Sequence, residues 1–407
     1  MRRTGVGRPK GCRTGCRTAC RSGEEAGSRG GIRAGRRRRP QVRRPPVGRS
    51  GADRAGLAPG GRPDRAARAP GRGGLDVLDL STANTTGTFK SWMACLAVAQ
   101  CLRAGSPLVL TQSSGNTANA VAAYAVHAGL RAVVLHPPAS RRRIVPELAE
   151  ADGVQFVEVD AAEEEIKAAM VACSEASGVP IAPAREDMYE AHKLRAHFLA
   201  DAARELGRQW DWHVQAVSSG YGPLGHYRGL REVLRSDPGG VRVPRFLGVQ
   251  QEAVAPYVDA LAGGGRETGA DRPAPAVLEP TLFRRTLTDE LVAEMREVCA
   301  FSRGTVRRLG NARYLHLEPR AVTLLAEAGV PVARAAAGTP WERSGLYALA
   351  GTLAAIEEGL IRPGERALAV FTGGAAPAPP RTYEPHWLAD RTDAEEVITR
   401  ALDKLRP

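Results

Sequence analysis

One lysine stands where its amine can do chemistry, directly after a polar turn and at the start of a predicted helix. Residues 75–80 are mainly aliphatic and predict a buried strand, and residues 81–87 form a turn rich in Ser, Thr, Asn and Gly. Lys90 follows this turn, and residues 91–105 predict a helix that ends at Gly105. A lysine buried beside the positive end of a helix has a depressed pKa, and its amine can then act as a nucleophile. From this stretch alone, a solvated surface lysine is the alternative interpretation.

A second strand, turn and helix follow, with polar residues at the point where the strand ends. Residues 108–112 predict a buried strand, the sequence Ser-Ser-Gly-Asn-Thr fills 113–117, and the next predicted helix ends at Gly129. Backbone N–H groups and hydroxyls at a helix N-terminus form a ready anion site. Because Lys90 and residues 113–117 both follow strands directly, we expect them to face one crevice.

A glycine-rich segment follows a later strand and has the features of a phosphate site. The strand predicted over 213–220 runs into a loop, Ser218–Gly225, and the next helix is predicted to begin near His226. Glycines let successive N–H groups point inward, and the following helix adds its positive end, which is what a phosphate monoester requires. Pro223 removes one potential N–H donor from this loop.

Two elements later in the chain complete a set of five, whose first three members are the turn with Lys90, the segment 113–117 and the glycine-rich loop. The turn Glu342-Arg343-Ser344-Gly345 precedes a predicted helix, and the strand predicted over 367–374 ends near Thr372. In this order the five elements closely resemble the fold-type II pyridoxal-phosphate enzymes, the tryptophan synthase beta-like family, with the threonine synthases as the nearest branch. The resemblance covers about residues 76–380. Arg343 stands where the family has Pro, and nothing in residues 1–74 matches the Thr-Pro-Leu-like segment that precedes the lysine strand in the family.

The resemblance implies pyridoxal 5'-phosphate as the cofactor and a role for each element. Lys90 would form the Schiff base, Asn116 would bond the ring hydroxyl, and Thr372 would bond the pyridine nitrogen. The cofactor phosphate would be bound by the loop residues Gly220, Tyr221, Gly222, Pro223 and Leu224. The substrate carboxylate would be bound by Ser113, Ser114, Gly115 and Thr117. A neutral hydroxyl such as that of Thr372 does not favour a protonated ring, so the site suits elimination and replacement at the substrate side chain.

The alternation of strands and helices over residues 75–185 predicts an α/β fold with parallel sheets flanked by helices. One of these strands is predicted over 179–184. By resemblance the chain has two domains. We predict a basic leader at 1–74, a large cofactor-binding domain at 75–90 and 206–390, a small domain at 91–205, and a C-terminal helix at 391–407.

Charge is distributed unevenly along the 407 residues, whose formal net charge is +13. Residues 1–74 hold 21 basic and 4 acidic residues, whereas the remainder holds 36 basic and 40 acidic residues. The leader is rich in Arg, Gly and Pro, so we interpret it as disordered and dispensable for folding. Three interpretations of the leader are open: it is an electrostatic tail for nucleic acid or anionic lipid, it is sequence translated upstream of the true start, or it is sequence translated in a wrong frame. It lacks the apolar stretch of a secretory signal and the amphipathic face of a transit peptide.

The remaining composition favours a cytoplasmic enzyme. No apolar run approaches the roughly 20 residues of a membrane span, and we predict no metal site. For the folded body we expect no nucleic-acid partner, a small amino-acid substrate and a homodimer. The four cysteines of the body are predicted to be reduced thiols. They are Cys95, Cys101, Cys173 and Cys299.

The first hypothesis for function is a lyase similar to threonine synthase, which eliminates phosphate from O-phosphohomoserine and adds water. The second is β-replacement on O-phosphoserine or O-acetylserine, as in cysteate or cysteine synthase. Ser91-Trp92 keeps this hypothesis open, because the threonine synthases have Asp-Arg directly after the lysine. Two other hypotheses remain. One is a catalytically degenerate relative, and the other, which rests on the leader alone, is a nucleic-acid-binding protein. Four arginines are candidate ligands for a substrate phosphate, with solvated surface positions as the alternative. They are Arg185, Arg228, Arg284 and Arg343.

Overall fold

The computed structural model describes residues 74–406 except Ala83, Thr85 and 264–274. The predictions for the basic leader therefore lie outside the described residues. The strands are β1 Leu75–Asp79, β2 Leu108–Gln112, β3 Arg131–His136, β4 Val154–Asp160, β5 Trp212–Ala216, β6 Arg245–Gln251, β7 Thr305–Leu309, β8 Ala367–Phe371 and β9 Trp387–Asp390. The helices are α1 Lys90–Arg103, α2 Asn116–Ala128, α3 Pro146–Ala149, α4 Glu163–Ser177, α5 Arg185–Leu206, α6 Tyr221–Ser236, α7 Pro256–Leu261, α8 Asp289–Ser302, α9 Asn311–Glu327, α10 Ser344–Glu357 and α11 Ala394–Leu405. Short 3-10 turns lie at Pro138–Arg143 and Pro280–Leu282.

The described strands form two parallel sheets, so the predicted α/β class with parallel sheets flanked by helices is confirmed. One sheet has five strands in the order β1-β8-β5-β6-β7, and the other has four in the order β2-β3-β4-β9. Every pair is parallel. Because strands of a parallel sheet end at the same edge, the loops after β1, β8 and β5 emerge side by side.

Both faces of each sheet are covered, as parallel sheets require. In β3, Ala132 and Val134 pack with helices α1 and α2, whereas Val133 and Leu135 pack with α4 and α11. In the five-stranded sheet, alternate residues of β8 face either the buried helix α10 or the long helix α5. This two-residue alternation follows from the pleat of a strand. The sheets are therefore rigid platforms whose edges can hold polar loops in place.

One predicted strand is not formed in the structure. Residues 179–184 do not form a strand, because Ile181 alone makes a parallel bridge, to Leu110. Pro180 and Pro183 lack the N–H groups that a longer ladder would need. Strand β9, residues 387–390, pairs with β4 of the four-stranded sheet. The division of the chain into domains stays a prediction.

Two general properties of the described residues complete the fold. None of the described helices is long and apolar enough to cross a bilayer. The described cysteines, Cys95, Cys101, Cys173 and Cys299, are free thiols.

Candidate active site

Three predicted site elements meet at the edge of the five-stranded sheet. Lys90 comes after β1, Thr372 comes directly after β8, and the segment 218–222 comes after β5. Phe89 links all three, because it precedes Lys90 and its N–H donates to the Thr372 carbonyl at 3.1 Å. Its ring packs so closely on Gly222 that a Cβ there would lie 3.1 Å from a ring carbon. Lys90, Thr372 and the glycine loop are therefore neighbours at this edge of the sheet.

Lys90 is the first residue of α1 and is partly buried. Its N–H donates to Thr88 Oγ1 at 3.2 Å, and its Nζ lies 4.8 Å from the centre of the Phe89 ring. Burial lowers the pKa of the Lys90 amine to about 8, while the nearby Glu342 carboxylate acts in the opposite direction. The amine makes no ion pair with any residue that the structure describes. A substantial neutral fraction is therefore available near neutral pH.

The segment 113–117 crosses from β2 into α2 with an unusual backbone at Gly115. The φ angle of Gly115 is 147°, a conformation that favours glycine, and a Cβ there would lie 3.2 Å from Arg143 Cβ. The first helical hydrogen bond of α2 runs from the Asn119 N–H to the Gly115 carbonyl. Among the described residues, no acceptor is found for the N–H groups of 116–118. The helix N-terminus therefore presents free donors, as an anion site does.

The glycine loop forms a cradle that differs from the prediction in where its helix begins. Helix α6 begins at Tyr221 rather than near His226. Pro223 is tolerated because it lies in the first turn, where helical N–H groups have no intrahelical acceptor. No acceptor is found within the described chain for the N–H groups of 218–222, whereas the Leu224 N–H donates to the Gly220 carbonyl. The free donors thus include Ser218 and Ser219, which lie in the predicted loop but were not assigned to the phosphate. Neither Pro223 nor Leu224 supplies a free donor.

Glycines are required in this cradle because neighbouring side chains approach its backbone. A Cβ on Gly220 would lie 2.3 Å from the hydroxyl of Tyr257, and one on Gly222 would lie 2.6 Å from Nε2 of Gln215. The Tyr257 hydroxyl donates to the Ser219 carbonyl at 2.9 Å and braces the loop. The geometry and the run of free donors fit a phosphate group.

Glu342 joins the two sheets at the site, and sequence reasoning assigned it no role. Its carboxylate is buried and accepts from Asn116 Nδ2 at 3.2 Å and from Ser344 Oγ at 2.5 Å. The hydroxyl of Thr372 lies 3.5 Å from the same Ser344 oxygen. A Cβ on Gly373 would lie 2.3 Å from Glu342 Oε1, so this glycine makes room for the carboxylate. Asn116 and Thr372, predicted to contact the same ring, are thus joined through Glu342 and Ser344.

A second buried carboxylate holds the surrounding loops in place. Glu279 accepts from Arg143 Nη2 at 3.2 Å and from the Arg343 N–H at 2.5 Å. Burial raises the pKa of Glu342, and the negative charge of Glu279 raises it further. Arg143 thus links Glu279 to the segment that contains Gly115.

The four arginines considered as ligands for a substrate phosphate all face carboxylates. Arg185 and Arg228 lie 3.9 Å and 3.0 Å from Glu294 oxygens. Arg284 lies 3.7 Å from Glu163, and Arg343 lies 2.7 Å from Glu318. The structure therefore supplies each of them with a structural partner. Sequence reasoning gave no signal for Arg143, whose position beside the 113–117 segment depends on tertiary packing.

Comparison with known proteins gives one family and several distant relatives. Residues 78–373 match the family described as pyridoxal-phosphate dependent enzyme. A threonine synthase of Bacillus sp. (strain ULM1) is 24% identical over 298 residues, covering 73% of this chain and 77% of the relative. A threonine synthase of Synechocystis sp. is 28% identical over 176 residues, covering 43% of this chain and 45% of the relative. A cysteate synthase of Methanospirillum hungatei is 26% identical over 175 residues, covering 42% of this chain and 39% of the relative. The chain thus spans less than half the length of two of these three relatives.

Solved structures agree with the fold. A threonine deaminase of T.th. has a TM-score of 0.55 at 22% identity, covering 77% of this chain and 89% of that one. A maize serine racemase has a TM-score of 0.56 at 18% identity, covering 75% of this chain and 85% of that one. The site also fits the cofactor, since it combines a lysine of lowered pKa with a cradle of free N–H groups. The family match spans most of the sequence, and the chain therefore belongs to the pyridoxal-phosphate-dependent enzymes, with pyridoxal phosphate as its cofactor.

Proposed function

We propose that this protein is a pyridoxal-phosphate-dependent lyase that acts on an amino acid with a side-chain leaving group. The preferred substrate is O-phosphohomoserine, with phosphate as the leaving group and threonine as the product. The observation that carries this proposal is the adjacency of three site elements, since Phe89 joins Lys90 to Thr372 and to the glycine loop. The named relatives include several threonine synthases, which supports this choice of substrate.

In this proposal Lys90 holds the cofactor covalently and the backbone of 218–222 holds its phosphate. Asn116 bonds the ring hydroxyl, and Thr372 bonds the ring nitrogen. When bound, the cofactor withdraws electrons from the α-carbon of the substrate. The depressed pKa of Lys90 suits its second task, because a neutral amine can accept the α-proton once the substrate has taken its place.

The anchor for the substrate carboxylate is the N-terminus of α2. The free N–H groups of 116–118 and the hydroxyls of Ser113, Ser114 and Thr117 offer donors to an anion. The Gly115 backbone brings these groups together, and Asn119 fixes the adjoining turn by bonding the Arg143 carbonyl at 2.8 Å. Orientation of the substrate by this segment keeps its α-carbon facing the lysine.

The group at the ring nitrogen favours elimination and replacement over transamination. Thr372 presents a neutral hydroxyl, which lies 3.5 Å from Ser344 Oγ. A carboxylate in that position would hold a proton on the ring and strengthen it as an electron sink, whereas a hydroxyl does not. We therefore propose that the side chain of the substrate, rather than its amino group, is exchanged.

A second candidate is β-replacement on O-phosphoserine or O-acetylserine. It is supported by the cysteate synthase among the relatives. Ser91 also lacks the charge of an aspartate at the position after the lysine, and its hydroxyl lies 2.6 Å from Thr86 Oγ1. A catalytically degenerate relative is the remaining proposal, and it predicts cofactor binding without turnover.

A panel of substrates distinguishes these candidates. Full-length protein would be supplied with pyridoxal phosphate and tested on O-phosphohomoserine, O-phosphoserine, O-acetylserine, threonine and serine, with water, sulfide or sulfite as acceptor. Release of phosphate with formation of threonine supports the proposal. Product only with sulfide or sulfite moves the assignment to β-replacement, and a keto acid from threonine or serine indicates a dehydratase. Lys90→Ala is the control, because activity that survives it does not come from this site.

A further inference from the structure

A buried arginine lies directly behind the glycine loop without a balancing charge. Arg195 of helix α5 is 0% exposed, and its Nη2 donates to the Gly222 carbonyl at 2.5 Å. Its Nε and Nη1 atoms are buried and have no hydrogen-bond partner among the residues that the structure describes. Within the described part of the chain, no carboxylate lies within ion-pair distance of this guanidinium. A guanidinium is charged at every physiological pH, so this position holds a buried positive charge.

The groups around Arg195 cannot balance that charge. His192, His213 and His226 are buried, and both their burial and the charge of Arg195 lower their pKa values well below the usual range. Burial raises the pKa of Tyr227 well above its usual value, and its hydroxyl donates to the Pro244 carbonyl. All four neighbours are therefore neutral near pH 7, and none supplies a negative charge.

A small cavity can supply water to some of these neighbouring groups. A cavity of about 30 Å³ adjoins His213 and His226 and is large enough for water. Arg195 is not part of the lining of that cavity. An unpaired buried charge is strongly destabilising, so a fold that retains one needs an anion from elsewhere. The nearest built anion site is the cradle of free N–H groups at 218–222.

We propose that Arg195 is a positioning residue for the cofactor phosphate. Arg195 holds the loop that binds the phosphate, and the negative charge of the phosphate balances the buried guanidinium. This inference rests on the assignment of 218–222 as the phosphate loop. The bond to the Gly222 carbonyl fixes the first turn of α6, and the charge adds to the positive end of that helix. Arg195 therefore selects the phosphorylated cofactor over pyridoxal, which lacks the anion.

Affinity for the two forms of the cofactor tests this role. Dissociation constants for pyridoxal phosphate and for pyridoxal would be measured by absorbance on full-length apo-proteins: wild type, Arg195→Met, Arg195→Gln, Arg195→Lys and Arg204→Met. Arg204 is the matched control, since it lies on the same helix, is exposed and pairs with Asp201 and Asp237. Arg195→Met and Arg195→Gln should weaken the binding of pyridoxal phosphate by about tenfold to a hundredfold and leave the affinity for pyridoxal unchanged. Arg195→Lys should restore most of the affinity, and Arg204→Met should match wild type.

Inorganic phosphate gives a second readout that does not depend on the covalent attachment to Lys90. Phosphate should raise the melting temperature of wild-type apo-protein and raise that of Arg195→Gln much less. Equal losses for pyridoxal phosphate and pyridoxal, or equal protection by phosphate in wild type and variant, would overturn the role of Arg195. If wild type binds pyridoxal phosphate no more tightly than pyridoxal, both this inference and the assignment of the phosphate loop fail.

Discussion

The reactivity of Lys90 should set it apart from the other lysines of the chain. Burial brings the pKa of its amine down to about 8, compared with 10.5 for a solvated lysine. At about pH 7.5, roughly a quarter of the Lys90 amines should be neutral, against about one in a thousand at the ordinary value. Lys193 is the internal control, because Glu190 and Glu232 lie 2.5 Å and 2.8 Å from its Nζ and raise its pKa.

The assay is acylation of full-length apo-protein, with modification of each lysine quantified by mass spectrometry across a pH series. The rate at Lys90 should reach half its maximum near pH 8, and at about pH 7.5 it should exceed the rate at Lys193 by about two orders of magnitude. If the rate at Lys90 instead rises only above pH 10, in parallel with Lys193, the amine is an ordinary surface group. In that case the electrostatic account of the site is refuted.

Four further results are expected. Glu342→Gln removes a charge that raises the pKa of Lys90, so the midpoint of Lys90 acylation should move to lower pH, and a midpoint that stays or rises would contradict the contact. Lys90→Met should raise the free energy of unfolding of the apo-protein by about 1–3 kcal/mol below pH 8, because the folded state disfavours the protonated amine. Measured by denaturant unfolding, this gain should vanish as the pH rises towards 10.5. Gly222→Ala should weaken binding of pyridoxal phosphate, whereas Gly239→Ala, whose added methyl group has no atom of a described residue within 4 Å, should not. Asn119→Ala should lower the free energy of unfolding by about 1–3 kcal/mol, since it leaves two backbone groups without their side-chain partner, and an unchanged melting curve would speak against that anchor.

The parts of the site that sequence could predict are those encoded in one short stretch. The strand, polar turn and helix around Lys90 lie within about 30 consecutive residues, and local periodicity and turn chemistry give their order. The same holds for β2, the 113–117 segment and α2. Parallel strands alternating with helices then imply that loops at the carboxyl edge meet, and the structure brings Lys90, Asn116 and Thr372 together through Phe89 and Glu342.

The parts that sequence could not predict depend on contacts between distant segments. Glu342 is 226 residues from Asn116 in the chain, so its hydrogen bond is invisible to any local pattern. The free donors of the glycine loop lie nearer Ser218 than predicted, because the helix begins at Tyr221 and not near His226. The charge of Arg195 gave no signal, since an amphipathic helix often carries a solvated arginine and burial at 0% appears only after packing.

Whether Lys90 carries the cofactor is decided by borohydride reduction of the full-length protein loaded with pyridoxal phosphate, followed by digestion and mass spectrometry. Reduction makes the bond between the cofactor and its lysine permanent, so the modified residue can be read from the peptide that bears it. We expect one pyridoxyl group per chain, on Lys90, and none in Lys90→Ala. Attachment to Lys167, Lys193 or Lys404 in place of Lys90, or loading that is equally complete in Lys90→Ala, would contradict the assignment of the site.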